Sequence, residues 1–224
     1  RQFYLSVAVE VSEAPVQPVS DFLGVDLGIV NLATTSLGET YSGESVDSVR
    51  VRYTVLKASL QSRNTKSAKR HLKKISGKEK RFKRNANHVI SKQIVQSAQR
   101  HLSGIALEEL SGFRKTVRKS QRERLGKWAF GQLSAYIQYK AAIAGIETVR
   151  VDPRNTSRIC SQCGHCEKLN RKSQSEFRCR SCGFAGNADL NAAKNIAARA
   201  SFNRLNVANE QSLSSNPTTS VVGI

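Results

Sequence analysis

Hydrophobic and polar positions alternate over residues 2–11, with Phe3, Leu5, Val7, Val9 and Val11 on one side and Gln2, Tyr4, Ser6, Ala8 and Glu10 on the other. A period of two predicts a half-buried β-strand. Pro15 and Pro18 interrupt regular structure and mark a boundary near residue 17. From Phe22 to Thr35 the pattern reads as a buried strand, a Gly-containing bend and a second strand. Leu37-Gly38-Glu39 is a hairpin turn into a third strand near Tyr41. Residues 49–101 read as mostly helical: Val55, Leu56 and Leu60, then Val89, Ile90, Ile94 and Val95, recur at helical spacing, and Ser76-Gly77 predicts a break in the run. Ile105-Ala106-Leu107 is a short apolar strand. A helix is predicted from about Lys127 to Ala144, anchored by Trp128, Leu133 and Ile137. Thr148 to Val151 is a further strand, ended by Asp152-Pro153. An Ala-rich helix covers 188–200, and the polar residues from Phe202 onward are expected to be disordered. Strands, then helices and further strands, predict a mixed α/β domain.

The length of 224 residues and a 39% hydrophobic content suit one sizeable domain with a small insert. No apolar run approaches the ~18 residues of a membrane span, and no basic segment followed by an apolar one opens the chain, so membrane and secreted classes are not indicated. The chain has no Met and begins immediately before the alternating pattern. It reads as a fragment, with residues 1–17 expected to be the last strand of a missing N-terminal domain plus a linker.

Charge changes the picture more. Lys plus Arg number 36 against 17 Asp plus Glu, a formal net charge of +19. Between Arg50 and Arg100 there are sixteen Lys or Arg and a single acid, Glu79. Residues 111–127 form a second basic stretch. Cations at this density predict a polyanionic partner, nucleic acid before a plain solvated surface. The candidate contacts are Arg63, Lys66, Lys69, Arg70, Lys73, Lys74, Arg81, Lys83 and Arg84 in the helical region, and Arg114, Lys115 and Arg118 in the second stretch.

The five cysteines lie between residues 160 and 182. Cys160-x-x-Cys163 and Cys179-x-x-Cys182 are separated by fifteen residues, and each pair is followed by a glycine, Gly164 and Gly183. Two such knuckles aim four thiolates at one point and predict a closed tetrahedral Zn²⁺ site with a structural role. A disulfide framework is the alternative, and the charge pattern and the absent signal peptide argue against it. His165 and Cys166 could compete as ligands, but a surface imidazole and a spare thiol are the expected outcome.

Only five Asp residues occur, so acids inside apolar segments stand out. Asp26 sits in Phe22-Leu23-Gly24-Val25-Asp26-Leu27-Gly28-Ile29, Glu108 ends Ile105-Ala106-Leu107, and Asp189 opens the Ala-rich helix. A carboxylate in an apolar strand is costly unless it meets a cation. Each has a plain alternative: an Arg partner for Asp26, a strand end for Glu108, a favourable helix first turn for Asp189. Together, two adjacent strands and a helix start can bring three carboxylates to one point that holds two hard cations for phosphodiester hydrolysis.

This ordered set resembles the TnpB (OrfB) proteins of insertion sequences and the related type V CRISPR effectors. Gly24-Val25-Asp26-Leu27-Gly28 resembles their first RuvC motif, Leu107-Glu108-Glu109-Leu110 the second, and Asn187-Ala188-Asp189-Leu190-Asn191-Ala192-Ala193-Lys194-Asn195-Ile196 the third. The cysteine insert between the second and third completes the match, which spans about residues 20–200. The resemblance implies an RNase H-like (RuvC) α/β domain with a mixed sheet and basic helices, divided into 18–155 and 187–201 by a zinc ribbon at 156–186. Residues 202–224 are left as a tail. It implies RNA-guided DNA cleavage, with Asp26, Glu108 and Asp189 as catalytic acids holding two Mg²⁺ (or Mn²⁺), guide RNA and target DNA as partners, single-stranded DNA at the active site, and a bacterial cytoplasmic (nucleoid) location.

The family also places an Arg from the insert near the scissile phosphate; Arg171 is the candidate, with Arg178 and Arg180 as rivals. Glu109 falls where the family often has Asp or Asn and is expected to play no direct part. Asn155 and Asn187 depart from the family's frequent residues at their positions, without removing a catalytic acid. A nuclease-inactive RNA-guided repressor and an unguided RuvC-like nuclease are the alternatives; the complete triad speaks against the first, and the zinc insert and basic helices against the second.

Overall fold

A computed structural model describes residues 3, 5, 7–19, 21–110 and 130–214, with only the backbone described for Phe130 and 207–214. Strands β1 (Phe22–Asp26), β2 (Asn31–Thr35), β3 (Thr40–Ser42), β4 (Gly104–Glu108) and β5 (Thr148–Val151) form one sheet in the order β3-β2-β1-β4-β5. β1 and β2, and β2 and β3, are antiparallel, whereas β1–β4 and β4–β5 are parallel. The sheet is therefore mixed, as the family resemblance implies. Gly38 makes the β2–β3 turn at φ +91, a left-handed conformation open to glycine.

Alternation along the central strands sends side chains to two layers. Leu23, Val25, Ile105 and Leu107 point to one face and join Ile90, Ile94, Val95 and Ala98 of α2 (Lys66–Arg100) and Leu133, Ile137 and Ala141 of α3 (Phe130–Ile143). Phe22, Ala106 and Val151 point to the other face and meet Ile196 and Ala200 of α4 (Ala188–Ser214). Gly24 lies on this second face, between Phe22 and Asp26. A Cβ on it would lie 2.0 Å from the Ala193 carbonyl oxygen and 2.6 Å from the Ala197 nitrogen. The absent side chain lets the backbone of α4 rest against β1.

The basic region is a helical hairpin of α1 (Glu44–Arg63) and α2, packed through Tyr53, Leu56 and Leu60 against Ala68, Leu72 and Ile75. Its break falls at Asn64-Thr65 and not at Ser76-Gly77. Asn64 adopts a left-handed conformation (φ 46), and the Thr65 hydroxyl accepts the Ala68 N–H at 3.1 Å as an N-cap. Asn tolerates that conformation and Thr supplies the capping oxygen, whereas a single Gly costs a helix only ~1 kcal/mol. The 35-residue α2, held along its length by α1 and α3, runs through Gly77.

Two other expectations are corrected. The described residues of 2–11 form no strand, and Phe3, Leu5, Val7, Val9 and Val11 are all exposed. A strand needs a neighbour for its backbone groups, and none of the described strands pairs with this segment. The Ala-rich helix does not end near 200 but continues to Ser214, so the expected disorder does not hold for 202–214; residues 215–224 lie outside the described residues. Trp128 and the basic stretch at 111–127 also lie outside them. No helix among the described residues is long and apolar enough to cross a membrane.

Gly24→Val should be among the most destabilising single substitutions in the chain, since it forces a side chain into helix backbone. A loss of about 2–3 kcal/mol is expected in urea denaturation, and a loss under about 0.5 kcal/mol would mean that α4 does not sit as close as described.

Candidate active site and metal centre

Asp26 ends β1 and Glu108 ends the parallel strand β4. Their neighbours Val25 and Leu107 are register partners, so the two acids sit side by side at one sheet edge. Both continue the face that carries Gly24 and Ala106, the face covered by α4. Asp189, buried in the first turn of α4, completes the group from above. The Asn187 side-chain oxygen accepts the N–H groups of Asp189 at 2.9 Å and Leu190 at 3.0 Å, which caps the helix and fixes where its first turn begins.

Two of the acids have a holder. The Asn31 side-chain amide donates to one Asp189 oxygen at 2.9 Å, and Arg171 Nη2 donates to the other at 3.3 Å. The Thr156 hydroxyl donates to Glu108 Oε1 at 2.6 Å. Burial first, and then the Glu108 and Asp189 carboxylates, push the Asp26 carboxyl up to about 7, against the pull of the Arg171 guanidinium. Burial likewise pushes Glu108 up, restrained by the Thr156 hydroxyl and Arg199. Three carboxylates that feel two guanidiniums, Arg171 and Arg199, form a site short of positive charge. An all-oxygen donor set of this kind suits a hard divalent cation. Glu109, by contrast, turns to Arg150 at 2.8 Å.

The second centre is sulfur. The Sγ atoms of Cys160, Cys163, Cys179 and Cys182 all lie within 4.8 Å of one another, with Cys160–Cys182 at 3.7 Å and Cys163–Cys179 at 3.6 Å. A tetrahedral cage with metal–sulfur bonds near ~2.3 Å has edges of ~3.8 Å, so these spacings fit zinc. All four thiols are free. Gly164 (φ +75) and Gly183 (φ +78) turn the chain in the left-handed region after each pair. Cys166 and His165 stand outside the cluster, His165 lying 3.2 Å from Glu167. Strands β6 (Glu176–Arg178) and β7 (Ala185–Asn187) form a hairpin beside the cage, with Phe177 fully buried against Cys160 and Cys179.

Several residues that position the site are not conspicuous in the sequence. Asn191 accepts the Ser161 N–H at 3.0 Å and donates to the Ile159 carbonyl at 2.7 Å. Asn195, one turn on, donates to the Thr156 and Ile159 carbonyls at 2.8 and 2.7 Å. These bonds lace α4 to the start of the cysteine insert. Asn170, fully buried, donates to the Arg158 and His165 carbonyls and accepts the Arg180 N–H. The only advance signal was Asn191 and Asn195 at helical spacing beside Asp189. Nothing in the local pattern marks Asn31, Thr156 or Asn170.

Of the predicted nucleic-acid contacts in the hairpin, Arg63, Lys66, Lys69, Arg70, Lys73, Lys74, Arg81 and Arg84 are exposed. Lys83 is not free: it pairs with Glu79 at 3.0 Å, as does Lys57. Arg114, Lys115 and Arg118 lie outside the described residues. Arg178 and Arg180 are exposed, and neither is paired with the three acids.

A mixed α/β protein with three converging carboxylates and a four-cysteine insert is the class that fold and site define. Comparison with known proteins then narrows it. The family model OrfB_IS605, described as "Probable transposase", matches residues 4–111, and the model for the Cas12f1-like TNB domain matches residues 130–196. Over these two segments the chain is similar to OrfB (TnpB) proteins and to their Cas12f1-like relatives. It is 40% identical over 117 residues to the CRISPR-associated endodeoxyribonuclease Cas12f1 of Sulfoacidibacillus thermotolerans, covering 52% of this chain and 27% of that protein. It is 34% identical over 128 residues to the TnpB-like protein MJ0751 of Methanocaldococcus jannaschii, covering 56% of this chain and 45% of that one. The matches thus span less than half the length of either relative. Among solved structures, that of the Cas12f1–sgRNA–target DNA complex shares the fold, with a TM-score of 0.66 and 23% identity over 82% of this chain and 51% of that one.

The pH dependence of the metal-free protein follows from Asp26. Its carboxyl keeps a proton up to about pH 7 when folded but loses it near 3.8 when unfolded, so the folded chain binds more protons across that window. The contribution of Asp26 to the stability of the metal-free protein therefore falls as pH rises from about 4 to about 7. Asp26→Asn removes this penalty. It should stabilise the metal-free chain at pH 8 by on the order of 1–3 kcal/mol in urea titrations, with the gain gone by about pH 4; equal stability at pH 8 would show that Asp26 carries no such strain. For the sulfur cage, elemental analysis should return one zinc per chain, reduced to none in Cys160→Ser/Cys179→Ser.

Proposed function

We propose that the chain carries the nuclease part of an RNA-guided DNA endonuclease encoded by an insertion sequence. It would cut phosphodiester bonds with a two-metal, RuvC-type site. The observation that carries this reading is the convergence of Asp26, Glu108 and Asp189 at one edge of a mixed sheet. The sheet order, with β1 between an antiparallel β2 and a parallel β4, supports an RNase H-like core at residues 18–155 and 187–201. The insert at 156–186 is then a zinc ribbon.

Asp26, Glu108 and Asp189 would hold two Mg²⁺, with Mn²⁺ able to replace it. When bound, the metals supply Lewis acidity to the scissile phosphate and to the attacking water. The chain's own residues prepare the site. Thr156 fixes the direction of Glu108, and Asn31 fixes that of Asp189. Arg171 holds a cation beside the same carboxylate, within reach of a phosphate that enters there. Its backbone is set by the insert: it bridges to Phe177 of the buried hairpin, and its guanidinium is braced by the Gln174 carbonyl at 2.8 Å. The zinc ribbon would steer single-stranded target DNA toward the acids. The exposed cations of α1 and α2 would hold the guide RNA–target DNA duplex by its phosphates, reading shape and not sequence. A nucleic-acid enzyme of this kind would work in the bacterial cytoplasm.

The test is cleavage of guide-matched DNA by the protein expressed with its flanking locus and supplied with Mg²⁺. Cutting should require the matched guide and should fall below about a thousandth of wild type in Asp26→Ala. RNA-dependent binding without any cutting by the wild type would instead assign a repressor, and guide-independent cutting an unguided nuclease.

A further inference from the structure

Ser76 and Gly77 lie on the outer face of α2, in a notch of about 440 Å³ bordered by Lys69, Leu72, Lys73 and Lys80. Glycine has no structural reason to be there. A Cβ at Gly77 would meet only Arg81 Nη1, at 3.4 Å, the far end of a flexible side chain, and the residue lies within regular helix. This is the reverse of Gly24, where helix backbone fills the space of the side chain. The helix carries its weakest interior residue at a point where the fold gains nothing.

The charge around the notch is equally one-sided. Glu79, the single acid between Arg50 and Arg100, is turned toward Lys57 and Lys83 and offsets one of their two charges. Lys69, Lys73 and Lys80 have no carboxylate partner among the described residues. Lys69 and Lys73 are one helical turn apart, ~6 Å along the axis, and Lys80 follows ~10.5 Å further on. Leu72, the one apolar side chain at the rim, is engaged in packing against α1, so little apolar surface is left for a protein ligand. What remains is a bare stretch of helix backbone flanked by three free ammonium groups.

We propose that this notch seats the sugar–phosphate backbone of a nucleic acid strand, with Lys69, Lys73 and Lys80 on phosphates and the helix backbone at Ser76-Gly77 against a sugar. This rests on the reading of the chain as a nucleic-acid enzyme and gives that reading a steric contact point. Close approach requires the missing side chain, so bulk at residue 77 acts in opposite directions on folding and on binding.

The experiment measures, for the full chain, the melting temperature and the binding of four fluorescent probes: an RNA–DNA heteroduplex, single-stranded RNA, single-stranded DNA and duplex DNA, each of about 20 nucleotides or base pairs, at several KCl concentrations. Gly77→Leu should melt no lower than wild type yet bind at least one probe about fivefold or more weakly, with an unchanged salt slope. The probe most affected identifies the strand that occupies the notch. Lys69→Ala/Lys73→Ala/Lys80→Ala should instead flatten the slope for that probe by about 2–3. Gly77→Ala, which adds one methyl and favours helix, should raise the melting temperature and weaken binding to an intermediate degree, which separates the steric effect from misfolding. Wild-type affinity for every probe in both Gly77 variants would overturn the notch while leaving the nucleic-acid reading intact. Failure of the wild type to bind any probe would overturn that reading itself.

Discussion

The contact of Gly24 with the backbone of Ala193 and Ala197 sets the level at which α4 crosses β1, and the position of the third carboxylate depends on it. From Gly24 to Asp26 the strand climbs ~6.6 Å. From Ala193 back to Asp189 the helix climbs ~6 Å. Strand and helix run in opposite directions, with Phe22 near Ile196 and Ala200 at the lower end. One close approach therefore brings Asp189 level with Asp26, and the parallel pairing of β1 and β4 brings Glu108 beside them. A side chain at residue 24 would push α4 away and lift one acid from the other two.

The cysteine insert is tied into this arrangement at several points. Asn191 and Asn195 bind it to the buried face of α4, Thr156 at its start holds Glu108, and Arg171 within it holds Asp189. Two of the three acids are thus oriented by side chains that the sulfur cage helps to place. Folding the insert and ordering the carboxylates are parts of one construction, which explains why so small an insert is built around a fully buried Phe177 and a fully satisfied Asn170.

Much of this was legible in the sequence where one local rule acts alone. Asp26 and Glu108 stood out because period two in an apolar strand leaves no cheap place for a carboxylate, and CxxC spacing specifies a cage almost by itself. The strands β1 to β5 lie where their patterns predict. The failures came where tertiary partners decide. Residues 2–11 have the alternation of a strand but no described strand to pair with. Gly77 looked like a helix break, yet packing along α2 outweighed the weak local penalty, and the real break fell on Asn64 and Thr65, whose left-handed turn and cap are common enough to be overlooked. The polar tail from Phe202 looked too poor in apolar residues for structure, but α4 continues into it as far as Ser214. Asn31 and Thr156 act on acids far from them in sequence, a relation that no local pattern records.

The proposed nuclease reading depends on Asp26, Glu108 and Asp189 acting together as a divalent-metal site. Crystals of the full chain soaked in Mn²⁺ and measured for anomalous scattering test it most directly. Manganese peaks among the three carboxylates are the predicted result. Ordered carboxylates with no manganese between them, at concentrations that saturate other hard-cation sites, would contradict it.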